Sequence, residues 1–327
     1  MPPDSSSGHA LAFAGAATDE RPPRSLSFEE LRNRGFDAVQ SGALNEAVLY
    51  FERARDLAEA EGEGDPHDLA VCNLAIVHVE LCETDESVIE GDLAALRGIL
   101  ARMHSVENGW LASHHLARIY ERRKAFKKGL FYARMALDRS GWVERTDWRA
   151  FSHNILGNLL LAESWLEEAV EHYEQALALL SDDDGGGDDV WRARVLDNLG
   201  YCRALEGDFD AALRLLLESR ESFQRHRAER YTLSNHLALA YVHLCAGRHR
   251  EAQSHATTAS ELALRYGDPD GLKNALYLLG EASLGLDDRE SAFGAYARLQ
   301  SRFFPDQPAI GDMLMQLDTL ELVNLRA

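Results

Sequence analysis

Small residues at a nearly constant interval divide the chain into seven similar copies. Gly or Ala returns at steps of 40 to 43 residues, and Leu precedes it in every copy after the first. The seven positions are Gly35, Ala75, Ala117, Gly157, Gly200, Ala240 and Gly280. An internal period of this length is typical of a repeat array, in which each unit packs against its neighbours. The pattern therefore predicts one elongated molecule instead of two separate globular domains.

The fifth copy shows the structure of the unit most clearly. From Leu196 to Arg203, apolar and small residues recur every three or four positions, which is the period of one helix face. Gly207 and Asp208 then interrupt the pattern, because Gly is frequent at helix ends and Asp caps the start of a following helix. A second helical pattern begins at Phe209. Each copy is therefore predicted to be a hairpin of two helices.

The second helices carry two columns of small residues with a packing position between them. The first column holds Ala47, Gly129, Ala169, Ala212, Ala252 and Ala292. Four residues later stand Phe51, Ala133, Tyr173, Leu216, Ala256 and Tyr296. Three residues beyond these stand Ala54, Ala136, Ala176, Ser219 and Ala259. Helix axes approach to about 8–10 Å where the side chains at the crossing are small, so these columns mark predicted contact lines.

The pattern LGxxRxxxGDFxxAxxxL, from Leu199 to Leu216, resembles the tetratricopeptide repeat. That repeat has a core of about 34 residues; the longer period here resembles the varieties found in kinesin light chain and bacterial regulatory arrays. The resemblance covers Phe28 to about Pro305. It implies an all-α, right-handed superhelical solenoid of about seven hairpins, with the first helices lining its concave surface.

The ends of the chain are expected to differ from the repeats. Residues 1–25, rich in Pro and Ser, are predicted to form a disordered tail, and residues 26–305 the solenoid. Residues 306–327 are predicted to cap it, because apolar residues recur at helical spacing from Ile310 to Leu325. A capping helix would cover the apolar seam that the last hairpin otherwise exposes.

The second copy allows two alignments of its second helix. Counting straight on from Ala75 puts small residues in the columns at Ser87, Gly91 and Ala94. Gly inside that helix would cost about 1 kcal/mol relative to Ala. A shifted alignment uses Ala94, Gly98 and Ala101 and adds apolar residues at Leu93, Leu96 and Leu100. It requires Cys82–Asp92 to form a long loop and the following linker to be short.

The resemblance implies that a peptide or a partner domain binds in the concave groove. The resemblance also assigns the inward-facing positions of the family's first helices to individual residues of this sequence, which gives a set of candidate contacts. They are Arg32, Asn33, Phe36, Asn73, His114, Arg118, Arg122, Asn154, Asn158, Asn198, Tyr201, Tyr241 and Tyr277.

Three of the asparagines (Asn33, Asn73 and Asn198) stand two residues before the small residue of their copies. An amide offers donors and an acceptor, so such a ladder could pair with the backbone of an extended peptide. The alternative is that the amides bond to neighbouring helices and hold the stack together. A carboxylate clamp like that of chaperone-binding relatives is not expected, because its basic positions fall on Asn154, Ser234 and Ala238.

Charge is distributed unevenly along the array. The net charge of −20 disfavours nucleic acid, because phosphate binding depends on Lys and Arg. Between Glu29 and Asp92 there are 17 acidic residues against four arginines. The third copy is basic, and it holds three of the four lysines. This basic stretch, from Arg118 to Arg134, is either a docking patch for an acidic partner or an ordinary solvated surface.

The composition of the chain also indicates the cellular compartment in which the protein is expected. No apolar run approaches the roughly 20 residues that span a bilayer, and residues before Ala10 lack the positive charge of a leader peptide. The four cysteines have no metal-ligand spacing and are expected to be reduced. We therefore expect a cytoplasmic protein without a membrane partner. The acidic, glycine-rich stretch Ser181–Val190 is predicted to be a mobile linker.

No phosphate loop, dinucleotide loop, HExxH or GxSxG motif is present, so we expect no catalytic residues, metal or cofactor. His236 and His243 share a helix face but are expected to pack without a metal.

The sequence is compatible with two functions. The first is a non-catalytic scaffold or adaptor, of bacterial type, that binds a peptide or partner domain. The alternative is a sensor subunit whose superhelix changes pitch on binding a ligand and thereby controls a partner enzyme or transcription factor.

Overall fold

The chain folds into helices that follow one another as hairpin pairs. The computed structural model describes residues 22–23, 25–82, 84–102, 105–143, 145–181, 189–317, 319–320 and 324–325. Within these ranges the regular elements are fifteen α-helices and a 3-10 turn at Glu229–Tyr231. The helices are α1 (Phe28–Gln40), α2 (Leu44–Glu61), α3 (Gly64–Glu80), α4 (Glu86–Arg102), α5 (Val106–Arg122), α6 (Phe126–Ser140), α7 (Thr146–Ala162), α8 (Leu166–Ser181), α9 (Asp189–Leu205), α10 (Phe209–Arg225), α11 (Thr232–Cys245), α12 (His249–Tyr266), α13 (Pro269–Gly285), α14 (Arg289–Phe303) and α15 (Ile310–Leu314).

Seven hairpins, from α1–α2 to α13–α14, stack into a right-handed superhelical solenoid, as predicted. Each first helix contacts the first helix of the next copy, so α1, α3, α5, α7, α9, α11 and α13 form one continuous layer. No helix in the described part of the chain combines the length and apolarity needed to cross a bilayer.

The turn inside every hairpin has the same backbone conformation. The residue seven positions after the small residue has a positive φ, between 54° and 83°, in all seven copies. These residues are Gly42, Cys82, Lys124, Ser164, Gly207, Gly247 and Asp287. Because this left-handed conformation ends the first helix at the same point in every copy, the second helix begins two residues later in all copies except the second.

A size match inside the hairpins explains why small residues carry the period. Where the first helix has Gly, the residue sixteen positions later in the second helix is large: Phe51, Tyr173, Leu216 or Tyr296. Where it has Ala, as in the third and sixth copies, that partner is also Ala. A Cβ on Gly157 would lie 2.6 Å from Cε1 of Tyr173. The two helices therefore touch directly, and the partner residue supplies the volume that glycine lacks.

The second hairpin departs from this rule, and both predicted alignments are wrong. Helix α4 begins at Glu86, so Cys82–Asp92 is not a long loop. Its buried face consists of Leu93, Leu96 and Ile99, whereas Gly91 is exposed with no atom near its missing side chain. These large residues pack in one cluster with residues of α3 and α5. The contact between α3 and α4 therefore uses large side chains in place of the small columns.

The C-terminal residues differ from the single predicted helix. Helix α15 ends at Leu314, where the pattern predicted a helix as far as Leu325. Leu314 and Leu325 are both buried in the main apolar core together with Tyr296. Leu325 is therefore packed on the solenoid from outside helix α15. The predicted tail (residues 1–25, except 22, 23 and 25) and the linker residues 182–188 lie outside the described residues.

The size match predicts a large effect of one methyl group in the seventh copy. Gly280→Ala should lower the free energy of unfolding by about 1–3 kcal/mol, because its Cβ would overlap the ring of Tyr296. Gly91→Ala is the matched control: it lies inside a helix in open space, and should raise stability by about 0.5–1 kcal/mol. Urea unfolding followed by circular dichroism measures both. Equal effects of the two substitutions would contradict the packing rule.

Candidate functional site

A cavity of about 290 Å³ lies on the inner side of the solenoid. Its lining comes from α3, α5, α7, α9, α11 and α13, the first helices of the second to seventh copies. The superhelix has therefore turned far enough to bring early copies opposite late ones. We call this space the lumen cavity; Glu80, Arg118, Arg194, Arg230 and Asn274 are among the residues that line it.

One carboxylate joins three copies across the lumen cavity. Glu80, the last residue of α3, accepts a hydrogen bond of 2.8 Å from Arg118 on α5. Its other oxygen lies 3.3 Å from Nε of Arg230, in the 3-10 turn that precedes α11. Burial opposes ionisation of Glu80, but the attraction of Arg118, Arg194 and Arg230 outweighs it and lowers the pKa of Glu80 to about 2. Glu80 is therefore charged at neutral pH and holds the second, third and sixth copies together.

A second ion pair bridges the same space. Lys124, in the turn of the third hairpin, lies 3.5 Å from a carboxylate oxygen of Asp270 at the start of α13. Both partners are partly exposed, so this pair contributes less than the buried contacts of Glu80. Together the two links close the solenoid on itself.

Two residues of the basic stretch in the third copy pair with carboxylates of the acidic second copy. Arg118 binds Glu80, and Arg123 contacts both Glu86 and Glu90 at 2.5 Å. The unequal charges of neighbouring copies are thus partly complementary to each other. Lys127 and Lys128 remain exposed on the surface.

Three of the predicted asparagines bond to one another. The Asn198 amide donates to the Oδ1 atoms of Asn154 and Asn158, at 3.0 and 2.9 Å. Asn158 also accepts from the Tyr173 hydroxyl and donates to Glu121. This network links α7 to α5 and α9, as the stack-holding alternative expects. Asn73 is buried with no described partner for its Nδ2 atom, and Asn33 is exposed.

Other predicted contacts lie away from the cavity lining. The Arg32 guanidinium lies over the rings of Phe28 and Phe36, at 5.9 and 5.7 Å from their centroids. The imidazole of His114 stacks on Trp110, with 5.0 Å between the ring centroids. Burial lowers the pKa of His114 well below its usual value, so this side chain is neutral. These residues pack the array, and none of them lines the lumen cavity.

Residues 319–320 and 324–325, which we call the C-terminal segment, lie on the inner wall of the solenoid. There they contact tyrosines that the sequence analysis names as candidate peptide contacts. The backbone N–H of Leu325 donates to the Tyr201 hydroxyl at 3.1 Å, and the Leu325 carbonyl accepts from Asn274 at 2.8 Å. The hydroxyls of Tyr277 and Thr319 lie 2.9 Å apart. Tyr241 packs edge-on against Tyr201, with 5.5 Å between their centroids. Side chains of α9 and α13 thus hold the backbone of another segment.

The sequence reasoning missed four residues of this site: Glu80, Arg194, Arg230 and Asn274. Arg194 and Asn274 each stand six residues before the small residue of their copies, one turn beyond the inward positions that were carried over. If the inward face is extended by one helical turn toward the start of each first helix, it includes both Arg194 and Asn274. Arg230 lies in a turn outside the repeating columns, so the periodicity contains no signal for it.

The histidines pair inside hairpins. Nδ1 of His236 on α11 lies 2.8 Å from Nδ1 of His255 on α12, and the ring of His243 stacks parallel to His255. Burial lowers the pKa of His236 to about 4. The same pairing recurs between His153 and His172, at 2.9 Å. Across the described residues, no group of three or more His, Cys, Asp or Glu side chains is arranged to hold a metal ion.

Comparison with known proteins agrees with the architecture. Residues 148–225 match the tetratricopeptide repeat family model. A curated protein, the 43 kDa receptor-associated protein of the synapse from Gallus gallus, is 26% identical over 187 residues. That match covers 56% of this chain and 44% of the relative, so the chain spans less than half the length of that protein.

Two solved structures share the fold at low sequence identity. A Rap protein crystallised with competence and sporulation factor superposes with a TM-score of 0.66 at 15% identity, over 88% of this chain and 75% of that one. Aspartyl phosphate phosphatase F from Bacillus subtilis superposes with a TM-score of 0.56 at 12% identity, over 94% and 97%. The tetratricopeptide repeat family thus matches by sequence in the fourth and fifth copies, and the stacked hairpins of the described residues have the architecture of tetratricopeptide repeat proteins.

Proposed function

We propose that this protein is a non-catalytic scaffold or adaptor whose inner wall binds an extended peptide segment of a partner protein. The observation that carries the proposal is the placement of its own C-terminal segment. Tyr201 and Asn274 pair with the N–H and the carbonyl of Leu325, and Asn324 donates to the carbonyl of Leu161 at 2.9 Å. The bonds of Tyr201 and Asn274 to the backbone of Leu325 do not depend on the side chains of the bound segment, whereas the Asn324 bond is specific to this segment. The two backbone contacts therefore suit a peptide from another protein.

The asparagines of the ladder are not the proposed peptide-binding residues. Asn154, Asn158 and Asn198 use their amides on one another, so they support the wall. Tyr201, Asn274 and Tyr277 are the proposed binding residues, because their polar atoms already engage another segment. Arg118 is held by Glu80 and acts as part of the frame.

The class of partner follows from charge and fold. A net charge of −20 opposes binding to nucleic acid or to anionic membrane surfaces, and tetratricopeptide repeats generally bind proteins. We therefore propose a protein or peptide partner, no cofactor, and a cytoplasmic location.

A second candidate is a sensor whose superhelix changes pitch, and the cross-lumen links favour it. Glu80 and Arg230 join copies that are far apart in sequence, so a ligand that enters between them must break or replace that pair. A change at one point of the lumen would then shift the spacing of several copies. The structurally similar Rap protein, crystallised with competence and sporulation factor, is compatible with this role.

The scaffold proposal predicts that a synthetic peptide of residues 316–327 competes with the chain's own segment. A variant lacking residues 319–327 should bind the labelled peptide saturably, and the full chain at least about tenfold more weakly, because the tethered segment already occupies the wall. Fluorescence anisotropy measures both affinities.

Two tyrosine variants in the shortened chain make this test specific. Tyr201→Phe removes the hydroxyl that accepts from Leu325, and it should weaken binding several-fold for the loss of about 0.5–1.5 kcal/mol. Tyr241→Phe is the control, since Tyr241 packs against Tyr201 without a described bond to the segment. A folded shortened chain that does not bind the peptide would contradict the proposal.

The sensor candidate predicts that loss of one charge opens the superhelix. Glu80→Gln should increase the radius of gyration in small-angle scattering, because Arg118 and Arg230 would repel each other without the carboxylate. Glu86→Gln is the control, as Glu86 pairs with Arg123 on the outer surface at an exposed site. If the scattering curve of Glu80→Gln is superimposable on that of the wild type, the lumen is not held closed by this pair, and the sensor candidate loses its support.

A further inference from the structure

Two of the arginines that line the lumen cavity form no close ion pair with a carboxylate of the described residues. Four arginines line it: Arg118, Arg122, Arg194 and Arg230. Glu80 binds Arg118 and Arg230. Among the described residues, neither Arg122 nor Arg194 forms an ion pair with a carboxylate.

The other carboxylates in the lining already have partners. Glu121 accepts from Asn158, Asp197 from Asn235, and Asp268 from the backbone N–H of Gly271. Asp270 lies near Lys124 and Lys273. Glu80 and Glu121 attract Arg194 across the cavity, but among the described residues neither lies close enough to form an ion pair with it.

Arg194 is held in position by two aromatic rings. Its guanidinium carbon lies 4.2 Å from the ring centroid of Trp191 and 4.8 Å from that of Tyr231. Stacking on both rings fixes the plane of the guanidinium while leaving its N–H donors at the edge of that plane. Burial lowers the pKa of Arg194, and the positive charge of Arg118 acts in the same direction. A fixed, half-buried cation of this kind is stabilised by an anion beside it.

The cavity also has a size suited to a small anionic group. Its volume, about 290 Å³, is near the lower end of the range for ligand sites, about 300–1,000 Å³. Leu325 of the wall-bound segment lies in its lining, so the cavity is continuous with the proposed peptide path. A side chain that projects from a bound peptide can therefore reach Arg194.

We infer that the lumen cavity is a specificity pocket for the carboxylate of an acidic side chain on the bound peptide, with Arg194 as its main ligand and Arg122 as the second cation. This inference rests on the proposed peptide-binding function and adds the chemical class that the peptide must carry. Arg118 and Arg230 position the pocket through Glu80, and they do not need to contact the peptide. A guanidinium can donate two parallel hydrogen bonds to one carboxylate, which distinguishes Glu or Asp from Gln or Asn.

Three libraries of end-blocked pentapeptides test the inference on the full chain and on the variant lacking residues 319–327, in which the chain's own segment does not compete. They are identical except for the central residue, which is Glu, Gln or phosphoserine. Peptides retained by the protein after gel filtration are counted by mass spectrometry. The wild type should retain the Glu library at least about tenfold more than the Gln library, the difference expected for a charged hydrogen bond. Arg194→Met should abolish that preference, and Arg194→Lys should restore part of it.

Arg192→Met is the matched control on the same helix. Arg192 is partly exposed and pairs with Glu218 at 2.7 Å, so its loss should leave the Glu preference unchanged. Circular dichroism establishes that each variant is folded.

The outcomes separate this inference from the proposed function. Equal retention of the Glu and Gln libraries, or a Glu preference that survives Arg194→Met, would overturn the pocket and leave peptide binding intact. Retention of the phosphoserine library in place of the Glu library would overturn the carboxylate assignment. Retention of no library would also overturn the pocket. The peptide-binding function is tested separately, because it is supported or contradicted by whether the 316–327 peptide binds to the shortened chain.

Discussion

Direct contact between the two helices of each hairpin is the constraint on which the structure depends. Gly157 and Gly200 have no side chain because Tyr173 and Leu216 occupy that space. The third copy reaches a similar contact with Ala at both positions. In six of the seven hairpins the crossing therefore pairs a glycine with a large residue or an alanine with an alanine, so a Cβ and a large side chain do not compete for the same space. Because the turn recurs in every copy, small rotations between copies accumulate into a superhelix.

The functional features follow from that accumulated rotation. Six first helices surround one cavity, and Glu80 of the second copy meets Arg230 just before the sixth. A buried ion pair contributes little net stability but is strongly disfavoured when one partner is lost. Its effect here is to define how far the superhelix closes. Above the ordinary pKa of a glutamate this closing charge is fully present, and it is lost only as the pH falls toward 2.

Features within one or two helices could be predicted from the sequence, whereas contacts between distant copies could not. The seven hairpins and the inward position of Tyr201 could be predicted, because they depend on periodicity within one or two helices. Helix α4 was misaligned, since Leu93 and Leu96 replace the small residues on which the alignment relied. The approach of Arg230 to Glu80 could not be predicted, as it depends on the sum of small rotations over four copies. The wall-bound C-terminal segment was missed because its apolar spacing is equally compatible with a helix.

A double-mutant cycle on Gly157 and Tyr173 tests the central packing claim most directly. Gly157→Ala alone should cost about 1–3 kcal/mol of unfolding free energy, because the new methyl group overlaps the tyrosine ring. In the Tyr173→Ala background the same change should be neutral or slightly stabilising, as at Gly91, giving a coupling of at least about 1 kcal/mol. The bond from Tyr173 to Asn158 is absent from both variants that carry Tyr173→Ala, so its loss cancels in the cycle. An equal cost of Gly157→Ala in the two backgrounds would contradict the account.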